Sequence, residues 1–137
     1  MNFKAAIAVL GLSLCWASAA EARGSVPIIA HDNVLLAAGP LTTDQVRGAI
    51  LRAAARTGYP WTVTAGGPDS LVATTIVRGK HTAEVTITYT RTSITVAYRD
   101  SKNLNYRVRK GVAEIHPNYN KWVQELIDAI QTEASRK

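Results

Sequence analysis

The stretch HTAEVTITYTRTSITVAY, residues 81–98, decides the fold because apolar and polar side chains alternate along it in two successive runs. Successive side chains of a strand point to opposite faces, so a period of two gives one buried face and one face in water. Thr90-Arg91-Thr92 separates the two runs, which predicts a pair of antiparallel strands. The residues expected on the buried face are Ala83, Val85, Ile87, Tyr89, Ile94, Val96 and Tyr98.

The same alternation continues upstream of this pair. Residues 61–65 form another run of period two, Gly66-Gly67-Pro68-Asp69 is a turn sequence, and residues 71–77 are a further β-rich run. Arg78-Gly79-Lys80 connects that run to the strand at residue 81, and glycine, proline and aspartate are the residues that tight turns favour. The pattern predicts a four-stranded antiparallel meander.

Helical patterns flank the predicted sheet on both sides. Upstream, Thr42 and Gln45 have the spacing of a capping box, and Gly58 stands where a left-handed residue would end the helix. Downstream, Pro117 suits a first helical position with His116 as N-cap, and apolar residues then follow helical spacing. The sequence therefore predicts an α+β fold: a two-layer sandwich with a four-stranded antiparallel sheet and two helices on one face, in the order α-β-β-β-β-α.

The first 22 residues have the three-part layout of a secretory signal peptide. Lys4 precedes an apolar run that is too short to span a bilayer, and small residues lead to a cleavage site near Ala22. We therefore expect a periplasmic or secreted protein with a cleaved signal. The expected divisions of the chain are a signal peptide at 1–22, an extended lead-in at 23–41 that contains at most one edge strand, and a single α+β domain at 42–137.

Cys15 is the only cysteine in the chain, and it lies within the predicted signal peptide. A cut directly before it would produce a lipoprotein anchored to a membrane through Cys15, and this is the alternative to a cut near Ala22. Leu14 stands where the lipoprotein peptidase prefers a small residue, which favours the cut near Ala22. That cut leaves the domain without a thiol, which excludes disulfides, thiol nucleophiles and zinc–thiolate sites.

The sequence contains no recognisable metal-binding or catalytic motif. His31, His81 and His116 have no second histidine or cysteine at the spacing of a metal site. The chain also contains no G-x-S-x-G, no H-E-x-x-H and no phosphate-binding glycine loop. We therefore expect no metal ion and no cofactor, and we interpret the protein as non-catalytic; a small enzyme with a dispersed site is a weaker alternative.

The net charge of +6 is concentrated between residues 78 and 110, where eight basic residues face two acidic ones. A one-sided basic field attracts anions, so electrostatic binding of anionic lipid or polymer is an alternative function. Basic residues also protect turns and edge strands from aggregation, which accounts for the same pattern structurally. Export argues against nucleic acid as the partner. The candidate basic patch consists of Arg78, Lys80, Arg91, Arg99, Lys102, Arg107, Arg109 and Lys110.

Two polar stretches remain as candidate binding segments: YRDSKNLNY, residues 98–106, and IHPNYNKWVQELI, residues 115–127. Both are rich in side chains that donate and accept hydrogen bonds, and the eight residues between them allow them to lie side by side at one end of the sheet. The structural alternative is that they hold turns and helix caps. The candidate binding residues are Asp100, Asn103, Asn105, Tyr106, His116, Asn118, Asn120 and Lys121.

These segments resemble a family of small, signal-bearing proteins of Gram-negative bacteria, some of which are described as lipoproteins. The resemblance rests on a D-S-x-N-L-N-Y box at residues 100–106 and an I-H-x-x-Y-N-x-W box at residues 115–122, with a similar capped helix and a G-W-T-V-type strand upstream. Relatives with a lipoprotein signal have a small residue before the cysteine, where this chain has Leu14. The resemblance implies export and a shared fold, and it implies no reaction.

The leading interpretation is a non-catalytic periplasmic or envelope protein that acts as a binding module. Export, the size of one domain and the lack of a catalytic motif support it. Its partner is expected to be an envelope protein or an anionic envelope component. Association with a membrane is expected only if Cys15 carries a lipid.

Overall fold

A computed structural model describes residues 24–136 as eight strands and two helices. The predicted signal peptide, its cleavage site and Cys15 lie outside the described residues. The strands are β1 (Val26–Pro27), β2 (His31–Leu35), β3 (Thr62–Gly67), β4 (Ser70–Val77), β5 (His81–Tyr89), β6 (Ser93–Lys102), β7 (Arg107–Arg109) and β8 (Val112–Ile115). The helices are α1 (Thr43–Arg56) and α2 (Pro117–Ala134).

The larger sheet contains five antiparallel strands in the order β2-β6-β5-β4-β3. The predicted meander corresponds to β3 through β6, and β2 adds a fifth strand by pairing with β6, where Val34 lies opposite Ile94. The α+β class is confirmed, but the predicted four-stranded sheet is wrong. The first three residues of β2 are polar and its two apolar residues, Val34 and Leu35, are adjacent; its register also shifts after His31, so its sequence shows no alternation.

A second sheet consists of the three short strands β1, β8 and β7, in that order. It joins the start of the described chain to the segment before α2, because Val26 lies opposite Ile115. All three residues of β7 are exposed, and Val108 and Val112 have exposed fractions of 59% and 46%. This sheet was not predicted, because a strand without a buried face leaves no apolar period in the sequence.

Both predicted helix starts are confirmed. Thr42 and Gln45 form the capping box with bonds of 2.9 and 3.1 Å, and His116 caps α2, with its Nδ1 accepting from the Asn118 N–H at 3.1 Å. The predicted left-handed stop at Gly58 is wrong. The helix ends instead at Thr57, which is extended (φ −73°, ψ 161°) and donates its hydroxyl hydrogen to the Tyr59 carbonyl at 2.8 Å. No helix in residues 24–136 is long and apolar enough to cross a membrane.

One hydrophobic core joins one face of the five-stranded sheet to the buried residues of both helices. At its centre, Ile87 of β5 lies between Leu71 of β4 and Val96 of β6, and all three side chains are buried. The alternation seen in residues 81–98 therefore describes this core face. Most of the residues that α1 contributes to the core are alanines, whose small side chains allow the helix to lie close to its neighbours.

Two side-chain amides of α2 bind the backbone of the N-terminal segment. Asn120 accepts from the Ile29 N–H at 3.1 Å and donates to the Pro27 carbonyl at 3.1 Å. Gln131, three helical turns further on, accepts from the Ala37 N–H at 2.9 Å and donates to the Leu35 carbonyl at 2.8 Å. Each side-chain amide thus donates to the carbonyl of one residue and accepts from the N–H of the residue two positions later. A neighbouring strand makes hydrogen bonds of the same kind. We call these two contacts the amide clamps.

Candidate functional site

Three tyrosines form an aromatic cluster at the end of β6. The rings of Tyr98 and Tyr106 are stacked with centroids 4.4 Å apart and an angle of 7° between their planes. Tyr119 of α2 packs edge-on against Tyr98 at 5.8 Å and 65°. Burial raises the pKa of the Tyr98 hydroxyl, and burial also raises the pKa of Tyr119, so both hydroxyls stay protonated at neutral pH. The cluster is an uncharged aromatic platform with Tyr106 on its outside.

The loop that carries Tyr106 is held by two asparagines in the left-handed region. Asn103 and Asn105 have φ values of 57° and 55°, a conformation that asparagine tolerates better than most residues. The Asn103 amide donates to the Lys80 carbonyl at 2.8 Å, and its own carbonyl lies 2.9 Å from Nδ1 of His81. Asn103 therefore ties this loop to the β4–β5 turn, a structural role.

A recess of about 660 Å³ lies beside the aromatic cluster, and we call it the tyrosine recess. Asp100 is exposed, and its Oδ1 accepts from the Ser101 N–H at 2.8 Å. The Ser101 hydroxyl is 2.9 Å from the Tyr98 hydroxyl. The residues that line the recess include Tyr98, Asp100, Ser101, Asn103, Leu104, Asn105 and Tyr106.

Several polar groups of the tyrosine recess keep their hydrogen-bonding capacity. Within residues 24–136, the side-chain amide of Asn105 and the hydroxyl of Tyr106 have no hydrogen-bond partner, although the Asn105 carbonyl accepts from Ser25 at 3.5 Å. Arg99 also lines the recess, but its Nε donates to Glu84 at 2.9 Å. The recess can therefore offer acceptors and donors to a ligand beside an exposed aromatic ring.

The second candidate segment meets the first through the backbone, because the His116 N–H donates to the Leu104 carbonyl at 2.8 Å. The candidate side chains of the second segment, however, do not contact the first segment together; each has its own position on α2. His116 caps α2, Asn120 belongs to an amide clamp and Lys121 is exposed on α2.

Asn118 lines another recess, of about 240 Å³, together with Tyr59, Arg78, His81 and Trp122. Neither Asn118 nor the other three candidates of this segment line the tyrosine recess. The eight candidate binding residues do not form one site.

The basic candidates are also divided in space. The register that pairs Thr82 with Lys102 places Lys102 beside the turn that carries Arg78 and Lys80. Arg91 occupies the turn at the opposite end of these strands, where its Nε donates to the Leu41 carbonyl at 2.9 Å.

The other four basic candidates occupy β6 and the β7–β8 hairpin. Arg99 and Arg107 are paired with Glu84 and Glu114 at 2.9 and 3.2 Å. Arg109 and Lys110 lie in the hairpin and are exposed. The candidate basic residues therefore do not form one patch. They are divided between the two ends of the large sheet, Arg99 within β6, and the small sheet.

Glu133 is a buried carboxylate that the sequence analysis missed. It has an exposed fraction of 4%, accepts hydrogen bonds from Arg52 and Arg56 at 3.1 and 3.2 Å, and forms an ion pair with Arg136 at 3.4 Å. Its position on the apolar stripe of α2, three residues after Ile130, is the signal that could have revealed it. A buried charge needs such partners, so the network joins α1 to the C-terminal end of α2.

The described part of the chain is thus an α+β domain with an open aromatic recess at the end of its larger sheet. Within residues 24–136, no group of three or more His, Cys, Asp or Glu side chains could hold a metal ion. Comparison with protein-family models, with curated proteins and with solved structures finds no match to the chain.

Proposed function

We propose that this protein is a non-catalytic binding module of the bacterial envelope and that the tyrosine recess is its binding site. The observation that carries the proposal is the Tyr98–Tyr106 stack, which leaves Tyr106 with an exposed fraction of 41% beside unpaired polar groups. Aromatic rings with one free face and nearby hydrogen-bonding groups are typical of ligand and partner sites. Buried aromatic residues without that free face would be core residues only.

Export is part of this proposal. The signal-like residues 1–22 would direct the chain to the periplasm or out of the cell, with cleavage near Ala22 or, for a lipoprotein, before Cys15. The mass of the mature N-terminus would distinguish these two products. An envelope location restricts the partner to an envelope protein, a glycan or a lipid.

Binding suits the side chains of the recess better than catalysis does. The Ser101 hydroxyl is hydrogen bonded to a protonated tyrosine, which cannot activate it as a nucleophile. Asp100 is exposed and accepts a hydrogen bond from a backbone N–H, an arrangement common in turns. A small enzyme with a dispersed site is the weaker alternative.

Replacing Tyr106 by alanine should abolish most capture of envelope partners in a crosslinking pull-down from intact cells. The change removes the exposed ring and its stacking on Tyr98, which contributes about 0.5–1.5 kcal/mol beyond the area that the pair buries. Tyr106 lies at the surface and outside the hydrophobic core, so the variant should remain folded, and a thermal denaturation curve measures its loss of stability. Quantitative mass spectrometry of the captured material measures the loss of partners.

Tyr59→Ala is the matched control, because Tyr59 has an exposed fraction of 39% and also makes one aromatic contact, with Trp122. Tyr59 lines the recess of about 240 Å³ that also contains Asn118, away from the tyrosine recess. The Tyr59→Ala variant should therefore capture the same partners as the unaltered protein. Equal capture by the Tyr106→Ala variant and the unaltered protein would remove the tyrosine recess as the binding site.

Electrostatic binding of anionic lipid is the second candidate function. The arrangement of Arg78, Lys80 and Lys102 at one end of the large sheet favours it, because no carboxylate in residues 24–136 lies within 4.0 Å of their side-chain nitrogens. Clustered lysines and arginines near an anionic membrane each contribute about 1 kcal/mol to binding.

The double variant Lys80→Gln/Lys102→Gln should bind vesicles that contain anionic lipid roughly tenfold more weakly or worse, since two such contributions are lost. Vesicle co-sedimentation at low and high salt measures this, and screening should weaken binding as salt increases. Arg47→Gln removes a cation from α1 and serves as the control. Vesicle binding that does not weaken as salt increases would contradict an electrostatic site. Equal weakening by the double variant and by Arg47→Gln would contradict a site localised at Lys80 and Lys102.

A further inference from the structure

The outer face of Tyr106 is a prepared surface for a flat apolar ligand face. Its inner face is covered by Tyr98, which is itself fixed by the edge of Tyr119 and by the hydroxyl of Ser101. The ring therefore has little freedom to lose when a ligand binds, and such preorganisation favours affinity. The exposed fraction of 41% is what remains for a ligand to cover.

The polar groups around this ring suit hydroxyl groups better than charges. Asn105 offers an amide with both a donor and an acceptor, Tyr106 offers its hydroxyl, and Asp100 retains acceptor capacity beyond its bond to Ser101. The one arginine in the lining, Arg99, is already paired with Glu84. The recess therefore presents hydrogen-bonding groups in several directions and no unpaired cation.

A second recess borders the tyrosine recess at Tyr106. It has a volume of about 340 Å³, shares Asn105 and Tyr106 with the tyrosine recess and extends to Gly24 and Ser25. The tyrosine recess of about 660 Å³ lies within the range of roughly 300–1,000 Å³ that small ligands occupy. Two recesses that share Tyr106 suit a chain-like ligand better than a single compact one.

From these features we infer that the ligand of the tyrosine recess is an oligosaccharide, one of whose rings stacks its C–H face on Tyr106; the inference rests on the proposed binding function. A sugar ring combines a flat apolar face with hydroxyls around its edge, which matches an exposed aromatic ring bordered by amide, carboxylate and phenol groups. Further sugar units would continue into the neighbouring recess at Gly24 and Ser25.

A glycan array that carries neutral and acidic hexose and hexosamine oligomers tests the inference with the purified protein. The unaltered protein should bind at least one oligomer, and its longer members more tightly than its single sugar. Tyr106→Ala should weaken that binding roughly tenfold or more, as truncation of a central aromatic contact does. Tyr106→Phe keeps the ring and should bind within about threefold of the unaltered protein, because only one hydrogen bond is lost.

Tyr59→Ala should bind the array as the unaltered protein does, and circular dichroism should show that all three variants are folded. Binding to no oligomer, or binding that Tyr106→Ala leaves unchanged, would overturn the oligosaccharide inference. If the array is negative while capture of envelope partners still depends on Tyr106, the binding module stands and its ligand belongs to another class. If partner capture is also independent of Tyr106, the proposed function fails as well.

Discussion

Replacing Ile87 by alanine should lower the free energy of unfolding by about 2–5 kcal/mol, the largest effect that we expect from one substitution in this protein. Ile87 is completely buried in β5, between Leu71 and Val96 of the adjacent strands. Alanine would remove three carbon atoms and leave a cavity that close-packed neighbours fill only in part. Because small domains have a stability of about 5–15 kcal/mol, this loss is a large fraction of the total.

Urea unfolding followed by tryptophan fluorescence measures this change as a lower midpoint with an unchanged slope. Thr88→Ala is the matched control: Thr88 is the next residue of the same strand and is exposed on the opposite face. Its replacement should cost less than about 1 kcal/mol, the range of strand propensity. Equal costs for the two variants would contradict the assignment of the buried face.

The double variant Asn120→Ala/Gln131→Ala should lose about 2–4 kcal/mol of stability, because the amide clamps contribute four hydrogen bonds of about 1 kcal/mol each. The effect should concentrate in residues 26–37, whose backbone the two side chains hold against α2. Local opening of this segment would expose its amides before the core unfolds. Hydrogen exchange measured by mass spectrometry should therefore show faster exchange in residues 26–37 and little change in β4 and β5.

Gln124→Ala provides the control for this experiment, since Gln124 lies on the same helix and its side-chain amide donates to Asp128 within that helix, not to the backbone of residues 26–37. It should leave exchange in residues 26–37 unchanged. Exchange that stays slow in the double variant would mean that β1 and β2 are held by their sheets alone.

The amide clamps also bear on the proposed site. The Ser25 hydroxyl donates to the Asn105 carbonyl at 3.5 Å, and Gly24 and Ser25 form one wall of the recess adjacent to Tyr106. Asn120 holds the backbone directly after this wall, at Pro27 and Ile29. Release of the clamp should therefore loosen one end of the surface proposed for an oligosaccharide.

The candidate site could be predicted from the sequence only in part. The polar box at residues 98–106 was recognisable because its residues are adjacent in the chain, and it does surround the tyrosine recess. The role of Asn120 was not, because its partners Pro27 and Ile29 lie more than 90 residues away. Similarly, Asn103 holds a turn through a contact 23 residues distant. Polar residues with distant backbone partners look the same in the sequence as polar residues free to bind a ligand.

The sequence by itself determined the elements whose signals are local. A period of two marked β3, β5 and β6, and a β-rich run marked β4. The Thr42–Gln45 capping box marked the start of α1, and His116 with Pro117 marked the start of α2. These signals depend on residues within one turn or one strand, where side-chain direction follows directly from backbone geometry.

Only the tertiary structure decided the features that join distant parts of the chain. These are the fifth strand β2, the small sheet of β1, β8 and β7, the burial of Glu133 among three arginines and the stacking of Tyr98 on Tyr106. Each of these features depends on partners that lie far apart in the chain. A residue's own place in a strand or helix pattern does not identify such a partner, so the folded arrangement is needed to find it.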